Sequence, residues 1–384
     1  MEQYLSLLPH VQQHLRRSPL VSAAALALLT GGTLLYTVLR SPLGSLLPTT
    51  IESPRVELPR LTPKEIERLP YPPDVFPGAR WVATPYGTIR VYEWGPEDGR
   101  KVVFVHGIGS PCVVARDLLW ELVEKGGCRV LVFDLYGRGY SDTPLGVPHD
   151  YRLYAAELIF ALHSSPQAQR WHNFTLIGYS FGGGISVAFA RLYPHLVRDL
   201  VLLAPSGLVR SSRLGIFARF AQAGYVPNAV AGWLAVRRTH GTPSAEVVAA
   251  RGADPRVRGE GGRAVDVEGI IEWQGRAHGG FLTAFLSSFR NGPLFDRQGE
   301  WGEVGRVWRE EGKRALVVVA GEDVVIEPGL VGEMVELLAG GEGEGRRVVG
   351  RVFGGMGHDF VVRRGKEVAG MVMENWKGEG VNGV

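Results

Sequence analysis

A chain of 384 residues, 45% apolar and 21% charged, has the makings of a large buried core, as one main domain with an insertion or as two domains. A net charge of +3, with no dense basic stripe interleaved with aromatics, excludes a dedicated nucleic-acid binder. Two cysteines, Cys112 and Cys128, exclude a disulfide scaffold and a cysteine-rich metal site, and they leave the redox compartment open.

From Ser18 to Leu39 the run "SPLVSAAALALLTGGTLLYTVL" carries no charge and is flanked by Arg16, Arg17 and Arg40. A helix of that length spans a hydrocarbon layer of about 30 Å, so residues 1–40 are read as an N-terminal membrane anchor. The run is long for a cleaved signal peptide, and Glu2 with few basic residues disfavours a targeting leader. The flanking charges differ too little to orient the helix, so the membrane and its side stay open. Residues 41–78 are proline-rich without long periodicity and read as a linker.

A body over 79–207 and 300–384 follows. "WVATPYGTIRVYEWG" reads as a hairpin with its turn at Tyr86-Gly87. Six short runs then succeed one another: "KVVFVHG", "CRVLVFD", "FTLIGYS", "LVLLAPSG", "RALVVVAGED" and "RRVVGRVFGG". Their apolarity is continuous rather than alternating, as in strands covered on both faces, and helical patterns lie between them. The fold class is therefore α/β, with a mostly parallel central sheet flanked by helices and ligand chemistry at the carboxyl ends of its strands. Residues 208–299 break the rhythm with helical segments and no strand pattern. They are expected to form a helical cap above those strand ends, with "GADPRVRGEGGRAVD" inside it, and "AGGEGEGRR" before the last strand, as irregular loops.

The chemistry centres on "LIGYSFGG". A strand is expected to end at Gly178 and a helix to begin just after Ser180, with Gly178 and Gly182 letting the two approach and exposing the hydroxyl at the helix's positive end. With 52 glycines in the chain this pattern alone is weak; partners must support it. A serine hydroxyl needs a base, and the base a third group to hold its tautomer. His358 follows the last strand in "FGGMGHDF", and Asp323 follows the one before it in "VVVAGEDVVIEP". Asp323 is preferred to its neighbour Glu322; Asp359 reads as a local partner, and His172 and His195 lie at the wrong end of the sheet. The oxyanion is expected to meet the backbone N–H groups of Phe181 and of Ile108, in a loop that Gly107 lets turn and His106 braces. Asp134, Arg138 and Asp142 in "FDLYGRGYSD" read as an ionic and hydrogen-bonded clamp beside the site rather than a phosphate cradle, since no P-loop or dinucleotide fingerprint accompanies them. No metal motif is present and no cofactor is expected.

The segments "HGIG", "DLYGRGYSD", "GYSFGG", "GED" and "GHDF", in this order, resemble the α/β-hydrolase superfamily from about Trp81 to Val362, interrupted by the insertion. The resemblance implies the triad Ser180, Asp323 and His358, with oxyanion donors at Ile108 and Phe181. Epoxide hydrolases and haloalkane dehalogenases of this fold carry aspartate where this chain has Ser180, so acyl hydrolysis is expected. Among capped members the chain looks like the monoacylglycerol-lipase and carboxylesterase-like branches, which implies a small-molecule or lipid ester as substrate. Carbon-carbon bond hydrolases, cofactor-free haloperoxidases and a non-catalytic binding module are the alternatives. Phe217, Phe220, Trp233, Trp273, Phe281, Phe285 and Phe289 give the insertion apolar surface for an acyl channel or for packing. The oligomeric state is left open.

Overall fold

The β-branched runs form eight strands in a computed structural model that describes residues 30, 49–214, 257–258, 264–265, 267–339 and 347–377. The strands are β1 (Arg80–Thr84), β2 (Gly87–Trp94), β3 (Lys101–Val105), β4 (Arg129–Phe133), β5 (Phe174–Tyr179), β6 (Val197–Leu203), β7 (Arg314–Ala320) and β8 (Val348–Phe353). Their order across one sheet is β1-β2-β4-β3-β5-β6-β7-β8. The pairs β1–β2 and β2–β4 are antiparallel, and every later pair is parallel. All six residues of β5 are buried, as the uninterrupted apolar runs require of a sheet covered on both faces.

The helices are α1 (Arg116–Glu124), α2 (Tyr151–His163), α3 (Phe181–Leu192), α4 (Val267–Ala277), α5 (Phe281–Asn291), α6 (Gln298–Glu310), α7 (Leu330–Ala339) and α8 (Gly365–Lys377). Helix α1 packs on α8, whereas α3 packs on α2 and α6, and α6 on α7. The topology explains the two groups. From β3 the chain winds through α1 toward one edge, and from β5 it winds through α3 toward the other. Right-handed crossovers in opposite directions put their helices on opposite faces. The reversal lies between the neighbours β3 and β5, the point where a sheet of this kind opens a crevice at its carboxyl edge.

The chain divides into two compact units, 1–49 and 50–384. The anchor expected over 1–40 lies, Thr30 apart, outside the described residues; among the described residues no helix is long and apolar enough to cross a membrane.

Residues 50–78, expected to be part of a linker, are instead packed on the body. Thr50–Ile51 pairs antiparallel with Thr143–Pro144. Pro54–Arg60 forms a 3₁₀ helix, and Pro63–Arg68 an α-helix whose N-cap Thr62 forms a reciprocal capping box with Glu65. Tyr71 and Phe76 are buried, and the Phe76 ring stacks on Trp94 at 4.7 Å. Two large aromatics bury enough apolar area to hold the segment down, and its prolines set the extended and 3₁₀ angles of that path rather than keeping a spacer stiff.

In 208–299, expected to lack strands, the stretch 252–266 that reads as an irregular loop holds a two-stranded antiparallel pair, Val257–Arg258 with Ala264–Val265, and Val209 makes an isolated parallel bridge to Phe295. Helices α4 and α5 break at His278–Gly280. They lie over the loop that follows β4, where a Cβ on Gly137 would sit 2.2 Å from Ala284 Cβ of α5. That approach is what demands a glycine at 137.

Candidate active site

Between the last residue of β5, Tyr179, and the first of α3, Phe181, a single residue makes the turn. Ser180 has φ 54° and ψ −118°, a conformation that costs a residue with a Cβ of the order of 1–3 kcal/mol and persists only where the surroundings fix it. Here they do. Its N–H donates to Leu203 O of β6, and its carbonyl accepts from the N–H groups of Gly183 and Ser206, all at 2.9 Å. The flanking glycines permit the close approach: a Cβ on Gly178 would lie 2.4 Å from Gly182 O, and one on Gly182 would lie 2.1 Å from Val105 O.

The loops after β7 and β8 bring Asp323 and His358 to this hydroxyl. His358 Nε2 is 2.9 Å from Ser180 Oγ, and its Nδ1 is 2.8 Å from Asp323 Oδ2. The Asp323 side chain is wholly buried, and its other oxygen, Oδ1, accepts from the N–H groups of Val325 and Ile326 at 2.8 Å each. With Oδ1 taken by two amides, Oδ2 accepts from the imidazole at Nδ1, so Nε2 faces the serine as an acceptor. A hydroxyl so placed can lose its proton as it attacks an electrophilic carbon.

Tyr179, not singled out from the sequence, braces His358. Its hydroxyl donates to His358 O at 2.8 Å, and its ring stacks on the imidazole at 5.5 Å between centroids. Its position one residue before Ser180 was the available signal. Glu322 is exposed, Asp359 pairs with Arg363 one helical turn on, and His172 and His195 are exposed.

The loop after β3 runs directly beside Ser180: a Cβ on Gly107 would be 3.5 Å from Ser180 Cβ. His106 is fully buried, and its Nε2 accepts from Leu135 N at 2.8 Å, so its Nδ1–H donates to Gly107 O at 2.8 Å. Burial pushes the His106 imidazole down to about 3, and it stays neutral. Across a trans peptide the next N–H points opposite the carbonyl, so this bond turns the Ile108 amide away from His106. Phe181 opens α3, and its N–H has no acceptor within the helix.

The residues read as a clamp do brace this region, with partners other than one another. Asp134 accepts from Tyr71 OH at 2.9 Å and from the N–H groups of Cys112 and Tyr140 at 3.0 Å. Asp142 accepts from the N–H groups of Ser53 and Thr88 at 2.8 Å, and its ion partner is Arg55, at 3.1 Å, rather than Arg138. Arg138 is buried and donates to Ile108 O, Tyr136 O, Tyr154 OH and Ser288 Oγ. The reason for the difference is the packed N-terminal arm, which delivers Arg55 and Tyr71 to the two carboxylates. Among the described residues no group of three or more His, Cys, Asp or Glu side chains is arranged to hold a metal ion.

A family model described as alpha/beta hydrolase fold matches residues 101–350. A serine hydrolase-like protein of Danio rerio is 30% identical over 134 residues, 35% of this chain and 39% of that protein. The 2-hydroxy-6-oxo-2,4-heptadienoate hydrolase of Pseudomonas putida is 35% identical over 134 residues, 34% of this chain and 46% of that one. The chain thus spans less than half the length of either curated relative. Among solved structures, a bacterial membrane phospholipase A superposes with a TM-score of 0.57 at 18% identity, covering 93% of this chain and 97% of that one. At that identity the likeness is one of fold.

Proposed function

The chain belongs to the α/β-hydrolase family of serine hydrolases, and from that premise we propose that it cleaves carboxylic esters with Ser180 as nucleophile. The observation that carries the reading is the unbroken hydrogen-bonded chain from Ser180 through His358 to Asp323. In the first step Ser180 Oγ bonds to the ester carbonyl carbon while its proton passes to His358 Nε2. The carbonyl oxygen becomes an oxyanion facing the N–H groups of Ile108 and Phe181. Collapse breaks the carbon–oxygen bond to the alcohol, which leaves with the proton from Nε2. Water then attacks the acyl-enzyme by the same route, releasing the acid and restoring Ser180. Asp323 keeps its bond to Nδ1–H throughout and stabilises the positive charge that forms on the imidazole.

Hydrophobic acyl esters fit best, because residues 208–299, which we read as a cap, are rich in aromatics. Of these, Trp273 meets Tyr140 at 5.4 Å and Phe289 meets Phe295 at 5.6 Å, which are packing roles; Phe281 and Phe285 of α5 are half-buried. Phe217, Phe220 and Trp233 lie outside the described residues. We read 1–40 as an anchor that would hold the site near lipid. Alkaline carbonate is expected to leave the full chain in the membrane pellet and detergent to release it; release by carbonate alone would remove the anchor.

Carbon-carbon bond hydrolysis is the second reading, favoured by the similarity to the Pseudomonas enzyme. Turnover of short- and long-acyl p-nitrophenyl esters beside a 2-hydroxy-6-oxo-dienoate distinguishes them. Ester turnover is expected, faster with longer chains. Turnover of the dienoate alone would replace the first reading by the second, and no turnover of either would favour a binding module.

A further inference from the structure

Three successive carbonyls in the loop after β3 are each held by a side chain with its own fixed position. Gly107 O accepts from His106 Nδ1 at 2.8 Å, Ile108 O from Arg138 Nε at 3.0 Å, and Gly109 O from Gln274 Nε2 at 3.1 Å. Gln274 belongs to α4, which the chain reaches 165 residues after Gly109, and it is fully buried. Its amide orientation is determined by its partners. The N–H of Gly139 donates to Oε1 at 2.7 Å, which leaves Nε2 to donate to Gly109 O. One side chain therefore joins the loop after β3 to the loop after β4.

The sequence Gly-Ile-Gly has little resistance of its own to rotation of its peptide planes. Holding a carbonyl fixes its plane and so fixes the direction of the following N–H. His106 orients the Ile108 amide directly. The next two planes, which would have to turn for that amide to swing away from Ser180, are held by Arg138 and Gln274. Arg138 in turn donates from Nη2 to Ser288 of α5 at 2.9 Å, so both outer grips reach into helices of the insertion.

We propose that Gln274 is a positioning residue for the oxyanion loop, holding Gly109 O so that the Ile108 N–H stays aimed at the developing charge. It makes the seating of α4 a condition of the chemical step. The proposal rests on the ester-hydrolase reading. Gln274 contributes to the transition state and hardly to the bound ester, because the charge it helps to stabilise appears only after attack.

The test uses the full chain with Gln274→Leu, which shortens the side chain and removes both bonds, and Gln274→Met, which keeps the length and removes both bonds. Steady-state kinetics on the p-nitrophenyl ester that the unaltered chain turns over best are expected to show kcat down about tenfold, with KM within twofold, in the Met variant. Affinity for an alkyl boronic acid, whose tetrahedral adduct with Ser180 places an anionic oxygen in the same spot, should weaken in parallel. Melting temperatures monitor folding, and the Leu variant decides if the Met variant does not fold. Unchanged kcat in a folded variant, or a rise in KM alone, overturns the proposal. An unaltered chain that neither turns over esters nor takes up a fluorophosphonate label overturns the ester reading itself, a result the Gln274 variants cannot produce.

Discussion

Ser180→Ala is expected to lower kcat for ester hydrolysis by roughly 10⁶-fold and to abolish labelling by a fluorophosphonate, with the fold intact. The size follows from the hydroxyl's position in the proposed chemistry: without Oγ that route forms no acyl-enzyme, and what remains is the rate that water achieves beside the proposed oxyanion donors. Folding survives because the backbone, and not the side chain, makes the turn. The bonds to Leu203, Gly183 and Ser206 are made by the Ser180 N–H and carbonyl. Alanine carries the same Cβ at φ 54°, so the strain is unchanged, and the Ser180 side chain caps no amide of α3. The loss is one hydrogen bond to His358, on the order of 1 kcal/mol of stability. Stopped-flow or discontinuous ester assays, with the label mapped by mass spectrometry, check this. Turnover of every accepted ester at the original rate, with contaminating activity excluded, would end the assignment.

Asp323→Asn is expected to cost about 10⁴-fold in kcat with little change in KM, an effect much larger than the one atom exchanged suggests. The cause is the pair of amides on Oδ1. Val325 N–H and Ile326 N–H both point at that position, so asparagine must present its oxygen there and its NH₂ to His358. Facing a donor, Nδ1 must become the acceptor, and the proton moves to Nε2. The imidazole then offers a donor to Ser180 Oγ and can no longer take its proton. Flipping the amide would set its NH₂ against two amide N–H groups and lose both bonds, so the wrong tautomer is the more stable outcome. Glu322→Gln is the control: Glu322 is exposed, and its variant should keep activity near that of the unaltered chain. A loss below tenfold in Asp323→Asn would show that Asp323 does not hold the base.

The residues that the sequence singled out as chemical were found by their place at strand ends. In a parallel sheet every strand's carboxyl end lies at the same rim, so a serine after one strand, an acid after a second and a histidine after a third are brought near one another without any knowledge of their contacts. The glycines about Ser180 were legible for a similar reason, since a strand passing directly into a helix leaves no room for a Cβ at 178 or 182. Local pattern was misleading where several prolines stood together. Residues 50–78 lack periodicity, yet Tyr71 and Arg55 reach Asp134 and Asp142 across 63 and 87 residues of chain.

By itself, then, the order of apolar runs and helical patterns determined an α/β sheet and the side chains available at its carboxyl edge, because periodicity and strand-end position are properties of short stretches. Only the tertiary structure decided which partners those side chains take: Tyr179 against His358, Arg55 against Asp142, Gln274 against Gly109. Each of these pairs joins elements that are distant in the chain, and a buried polar atom accepts whichever donor the packing delivers to it. No spacing in the sequence records that choice, since it is made by the shape of the folded chain and enforced by the cost of leaving the atom unpaired.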